Sequence, residues 1–198
     1  MPLDKIKYFY WKKGLSTREV GKLLGISQWS VISKMRKYKI PRRKPAETLR
    51  IQFKKSPLSF NKKITLTAVE AKLYSAGLML YWAEGAKAQH GIVDFSNCNK
   101  QMILLFLSVL RKIYRVQESR IRVLLYCYAN QKVESLIDFW SRELKILKSQ
   151  FTKPYVRNDF KFAQIDKMPF GLVHVRYNDK RLHKQILEDI DKIAFELS

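Results

Sequence analysis

Wound as a helix, residues 73–84 (LYSAGLMLYWAE) leave almost no polar face. Residues 67–84 read as one helix of about five turns at 3.6 residues per turn, with small residues at Ser75, Ala76, Gly77 and Ala83. A helix apolar on all sides is buried, so this segment belongs inside a larger domain. Gly85 stands where a C′ residue ends such a helix. Glu84, in the last turn, is out of keeping with the rest. The dipole makes that end negative and disfavours a carboxylate by a few tenths to about 1 kcal/mol unless a cation compensates. A metal ion is one such cation; Lys87 is another.

Around this helix, strand and helix patterns alternate, which makes the fold class α+β. Residues 120–128 alternate Arg120, Arg122, Leu124, Tyr126 and Tyr128 with Ile121, Val123, Leu125 and Cys127. Residues 151–157 place Lys153, Tyr155 and Arg157 on one side, and residues 171–177 alternate His174 and Arg176 with Val173, Val175 and Tyr177. Residues 92–97 read as a further strand. Three strands thus each pair an apolar face with a basic or aromatic face that carries no acid. Amphipathic helices at residues 100–114, 132–144 and 180–197 are suited to cover the apolar side; the last aligns Leu182, Ile186, Ile190, Ile193 and Leu197.

Charge narrows the partners. The 198 residues hold 39 Lys+Arg against 17 Asp+Glu, a net charge of +22. Residues 1–63 carry 18 of the bases and 3 of the acids, so +15 of that charge lies in the first third. Such a balance calls for a polyanion: nucleic acid first, an anionic membrane surface second. Cys98 and Cys127, with His90, His174 and His183, show no metal-ligand spacing, and two thiols without a disulfide framework suit a reducing compartment. The N-terminus lacks the apolar core of a signal peptide, and the longest apolar run, residues 102–110, is too short for a bilayer. A soluble, cytoplasmic protein outside the membrane is expected.

Residues 3–13 form a first helix with Ile6, Phe9 and Tyr10 as its apolar stripe, ended by Gly14. Ser16 and Glu19 have capping-box spacing, and Val20, Leu23 and Leu24 face inward. Gly21 allows a close crossing, Gly25 a sharp turn, and Ser27 caps a helix whose inner face is Val31 and Met35. This pattern resembles the helix-turn-helix family. The resemblance implies that the second helix enters a major groove, with Gln28, Trp29, Ser30, Ser33 and Lys34 as candidate base readers and Arg36 and Lys37 on phosphates. The extended arm Ile40-Pro41-Arg42-Arg43-Lys44-Pro45 is either a minor-groove element through Arg42 and Arg43 or a solvated basic linker. A three-helix head over residues 1–45, a basic linker over residues 46–64 and a larger domain over residues 65–198 are expected.

The larger domain resembles the LAGLIDADG homing-endonuclease family. Ala83-Glu84-Gly85 matches the family's small-acid-glycine finish, and Leu80 its leucine four residues before the acid. Residues 92–97 match the strand after the motif, and Phe139-Trp140-Ser141, Ser149-Gln150-Phe151 and Phe170-Gly171 match small proteins that join a helix-turn-helix to such a domain. The resemblance implies a saddle-like mixed α/β domain whose sheet lies on double-stranded DNA through Arg120, Arg122, Lys153, Arg157 and Arg176. It also implies that Glu84 holds Mg²⁺ at the cleaved phosphate. Lys87 is a candidate electrostatic helper that no motif assigns. Met79 stands where the family has a glycine, Trp82 is bulky beside the acid, and the first hairpin is short. A single motif implies a homodimer. The function implied is a Mg²⁺-dependent, site-specific endonuclease. The alternative is a catalytically inactive DNA-binding transcriptional regulator on the same fold; an RNA-binding protein is a third class.

Overall fold

A computed structural model describes residues 3–88, 91–158 and 168–197; His90 lies outside them. The chain divides into two compact units, Met1–Pro57 and Leu58–Ser198.

In the first unit, α1 (Leu3–Lys7) runs into a π-helical turn (Tyr8–Lys12), followed by α2 (Thr17–Leu24), α3 (Gln28–Lys37) and α4 (Pro45–Lys55). Ile6, Tyr10, Val20, Val31, Met35 and Ile40 form its core. The capping box forms: Ser16 N donates to Glu19 Oε2 at 2.7 Å and Glu19 N to Ser16 Oγ at 3.2 Å. Gly25 takes φ +66°, and a Cβ on Gly21 would lie 2.7 Å from the carbonyl oxygen of Ile26. Leu23, expected inside, is 61% exposed, because the inward stripe of this short helix passes through Val20 and Leu24 instead.

Much of the expected linker is helical. Pro45 occupies the first turn of α4, where its missing N–H costs nothing, and Glu47 favours that helix's positive end. None of its residues is buried. Lys55 Nζ ties its end by donating to the carbonyls of Lys13 and Gly14, both at 3.0 Å.

The second unit begins within the same stretch. Asn61 N donates to Tyr114 O and Lys63 N to Ile113 O, while Lys62 Nζ lies 2.6 Å from Asp189 Oδ1. These partners are distant in sequence, which is why no local period marks the segment. Then follow α5 (Ala68–Glu84), β1 (Val93–Asn97), α6 (Lys100–Lys112), β2 (Ile121–Tyr128), α7 (Val133–Leu144), β3 (Tyr155–Arg157), β4 (Leu172–Tyr177) and α8 (Lys180–Leu197). The mixed sheet has the order β1-β4-β2-β3, with β4 antiparallel to both neighbours and β3 parallel to β2. The domain is therefore α+β. Residues 151–157 do not form one strand: Phe151 makes a single bridge to Val123, and pairing resumes only after Pro154, which has no N–H to give.

The apolar sheet face (Val93, Phe95, Val123, Leu125, Val173, Val175) packs with α5, α6 and α8 in one core. Gly77 is the point of closest approach: a Cβ there would lie 2.2 Å from Val109 Cγ2 on α6. Helix α5 is covered on one side only. Gly77, Leu78 and Tyr81 are buried, whereas Val69 is 77% and Trp82 49% exposed, with Ala76 and Ala83 also at the surface. Hydropathy shows that a surface is apolar but not what covers it. Gly85 does not take the left-handed C′ conformation; its φ is −77°, and it is needed because a Cβ would lie 2.5 Å from the Tyr81 ring.

Gly77→Ala is expected to destabilise the second unit by about 1–3 kcal/mol through overpacking against Val109. Urea denaturation of wild type and variant checks this; equal midpoints would contradict the close approach.

Candidate nucleic-acid interface

Ser27 caps α3 by accepting from Ser30 N at 3.1 Å. Val31 and Met35 bury one side of α3, which turns Gln28, Trp29, Ser33, Arg36 and Lys37 to the surface. Trp29 is 69% exposed, with the Arg36 guanidinium 6.0 Å from its ring. Trp29, Ser30, Ser33 and Lys34 line a hollow of about 280 Å³. Gln28 also braces the helix pair, since its Nε2 donates to Thr17 Oγ1 at 3.1 Å.

The arm splits. Arg42 is exposed, but Arg43 is buried, which corrects its expected place in a groove. Its guanidinium lies 4.1 Å from the Tyr10 ring, Nη2 donates to Leu15 O at 2.5 Å, and its backbone N donates to the Tyr10 hydroxyl. The aromatic ring and carbonyl beneath the arm draw the cation inward, and neither is visible in a basic run.

On the second unit, strand alternation gives the sheet a second face on which no helix packs among the described residues, although Leu124 and Tyr128 on it are buried. Its rows follow the register: Asp94 beside Arg176 beside Arg122, then Ser96 beside His174 beside Leu124. Tyr126 lies 4.8 Å from the rings of both His174 and Tyr155. The three strands expected to carry no acid carry none, and the one acid beside them comes from β1. Asp94 Oδ1 meets His174 Nδ1 at 2.8 Å, and Asp94 Oδ2 accepts from Arg176 Nε at 2.7 Å. Burial pulls the Asp94 carboxyl upward, but its bonds to His174 and Arg176 outweigh that and hold it below its ordinary 3.8.

Two further basic residues sit elsewhere than expected. Arg120 precedes β2 and turns away: its Nη2 donates to Asn178 O at 2.7 Å and its guanidinium lies 5.3 Å from the ring of Tyr177, a core residue. Lys153 is exposed but lies in the break before β3. Arg122 is exposed while its Nη1 donates to Ser119 O and Ile121 O at 2.8 Å, and Arg157 is exposed beside the Tyr128 ring.

Glu84 ends α5 at the edge of this sheet. Gly85 pairs with Phe95, and Ala86 N donates to Asp94 O at 2.9 Å. The Ala86 carbonyl accepts from the Tyr81 hydroxyl at 2.8 Å and from His183 Nε2 at 3.1 Å. The turn after the acid is therefore fixed from three sides by residues that the motif pattern does not mark. Glu84 and Lys87 are both exposed, and among the described residues no ion pair joins them. Among the described residues no three His, Cys, Asp or Glu side chains converge as a metal-binding group, and no helix is long and apolar enough to cross a membrane. No family model, curated protein or solved structure matches the chain.

Arg43→Ala is expected to lower head stability by about 1–3 kcal/mol, since it strips the Leu15 carbonyl and the Tyr10 ring of their partner. A thermal melt that does not move would return Arg43 to the surface. The Asp94 carboxylate, with its folded pKa depressed, stabilises the fold above the ordinary carboxylate range, and this stabilisation is lost as pH falls through the folded value. The gap in unfolding free energy between wild type and Asp94→Asn should therefore shrink as pH falls from about 5 into more acid solution; a gap that widens there contradicts the pairing.

Proposed function

We propose that this chain is a sequence-specific binder of double-stranded DNA, with a helix-turn-helix head and a second unit of the LAGLIDADG type. The observation that carries it is the outward face of α3: a capped helix presenting Gln28, Trp29, Ser33, Arg36 and Lys37, in a first third holding most of the net charge. Such a helix suits a major groove, with amide and indole on base edges and cations on phosphates. The basic and aromatic sheet face, through Arg122, Arg157 and Arg176, suits a second stretch of duplex.

Cleavage is assigned to Glu84. A single carboxylate fits Mg²⁺, which binds through one or two carboxylates together with substrate phosphates and retained waters. When bound, the ion would stabilise charge developing on the attacked phosphate. The chain's own part is to fix Glu84, and the Ala86 anchor supports this by holding the next turn in place. The exposed strip of α5, with Val69, Ala76, Trp82 and Ala83, supports a homodimer that would bring a second Glu84 into play. The second reading, a DNA-binding regulator without cleavage, is favoured by Trp82, bulky and half exposed beside the acid, and by Met79 where the family has a glycine.

Incubation with a randomised duplex library, with Mg²⁺ and with EDTA, tests both. Metal-dependent cuts are expected, and they should vanish in Glu84→Gln while binding persists. Enrichment without cuts supports the regulator; no enrichment at all rejects duplex recognition. Trp29→Ala should weaken preferred sites by roughly 1–3 kcal/mol relative to random duplex. Equal weakening on all sequences would remove Trp29 from base reading.

A further inference from the structure

Asp94 engages one nitrogen of each of its two partners and leaves their remaining nitrogens without a bond to it. It takes His174 through Nδ1 and Arg176 through Nε. Nε2 of His174 and both Nη atoms of Arg176 make no hydrogen bond among the described residues. The His174 side chain is 19% and the Arg176 side chain 34% exposed, on the face where no helix packs among the described residues. The imidazole cannot turn freely, since Tyr126 packs against it at 4.8 Å and Asp94 holds its other edge.

The charges of this cluster nearly cancel. Asp94 offsets Arg176, so with a neutral imidazole the three side chains sum to zero. Protonation of His174 changes the sum to +1 and converts Nε2 from an acceptor into a donor. Against the imidazole stand Asp94 and Ser96 from β1, Arg176 from its own strand and Leu124 and Tyr126 from β2; Tyr155 of β3 lies beyond Tyr126, and Arg122 is opposite Arg176.

We propose that Asp94, His174 and Arg176 form a phosphodiester-binding subsite in which His174 supplies its contact only when protonated. The subsite presupposes the duplex-binding reading. Its ligand is a backbone phosphate rather than an isolated small anion, because the cluster lies on an open sheet face next to Arg122 rather than in a pocket, on a chain of net charge +22. Arg176 Nη and His174 Nε2 then approach one phosphate together, and duplex binding takes up a proton. Asp94 neither touches the phosphate nor moves a proton; it is a positioning residue, and it prevents Arg176 alone from holding the ligand at full strength.

The test uses the full chain and a duplex selected from the library. Affinity is measured against salt concentration at about pH 6 and about pH 8. In wild type the slope of log K against log[salt] should steepen by about 0.9 at the lower pH, the increment for one added phosphate contact. In His174→Gln the two slopes should coincide. Equal wild-type slopes at both pH values overturn the subsite, and so does steepening that survives in His174→Gln, which would assign the proton to another group. Calorimetry of wild type in two buffers of different ionisation enthalpy gives the same answer without a variant: net proton uptake near neutral pH is expected, and none at any pH between these limits overturns the assignment. A chain that binds duplex with a pH-independent slope loses the subsite and keeps the duplex-binding reading. A chain that binds no duplex loses both.

Discussion

The Tyr81 side chain joins four parts of the second unit. Its ring stacks on Phe106 at 5.1 Å, Phe106 meets Phe95 of the sheet at 4.7 Å, and its hydroxyl donates to the Ala86 carbonyl at 2.8 Å. Burial pushes the phenol far above its usual range, so the hydroxyl stays a donor. The same ring fills the space that a side chain on Gly85 would need. Helix α5 can therefore end only as it does, and the chain leaves it directly onto the edge of β1, where Ala86 N meets Asp94 O. The positions of Glu84 and of the first row of the open sheet face both depend on this one aromatic residue.

From that edge the sheet separates two kinds of chemistry by strand alternation alone. Val93, Phe95, Ile121, Val123, Leu125, Cys127, Val173, Val175 and Tyr177 join the core, and the alternate positions bring Asp94, Arg122, Tyr126, His174 and Arg176 to the other face, with Leu124 and Tyr128 buried among them. Asp94 makes that face more than a basic surface. A lone carboxylate among cations loses solvation on partial burial and regains it from His174 and Arg176. In exchange it fixes their directions. The head achieves fixed directions by other means: Ser27 caps α3, Gln28 braces it to Thr17, and Arg43 is held beneath the arm by Tyr10 and Leu15.

Elements that rest on local signals were legible in the residues. The capping box Ser16–Glu19, the turn at Gly25, the cap at Ser27 and the course of α5, α7 and α8 depend on neighbours within about one turn, and periods of 3.6 and 2 encode them. The α+β class and the two-faced sheet follow from the same periods. Composition already placed the charge in the first third of the chain. Helix α4 was missed because none of its residues is buried, so its pattern has no inner face to reveal.

What the residues alone determined is which surfaces are apolar, which are charged and where helices begin and end. The tertiary structure decided which cations stay available. Arg43 turns inward onto Tyr10, Arg120 is held by Asn178, and Arg176 is tethered by an acid 82 residues away in the chain. It also decided that α5 is covered on one side only and that Gly85 serves Tyr81 rather than a left-handed turn. The physical reason is one of range. Periodicity and capping are interactions between residues a few positions apart, whereas the partner of a charge or a glycine is set by the packing of segments that the chain order does not bring together.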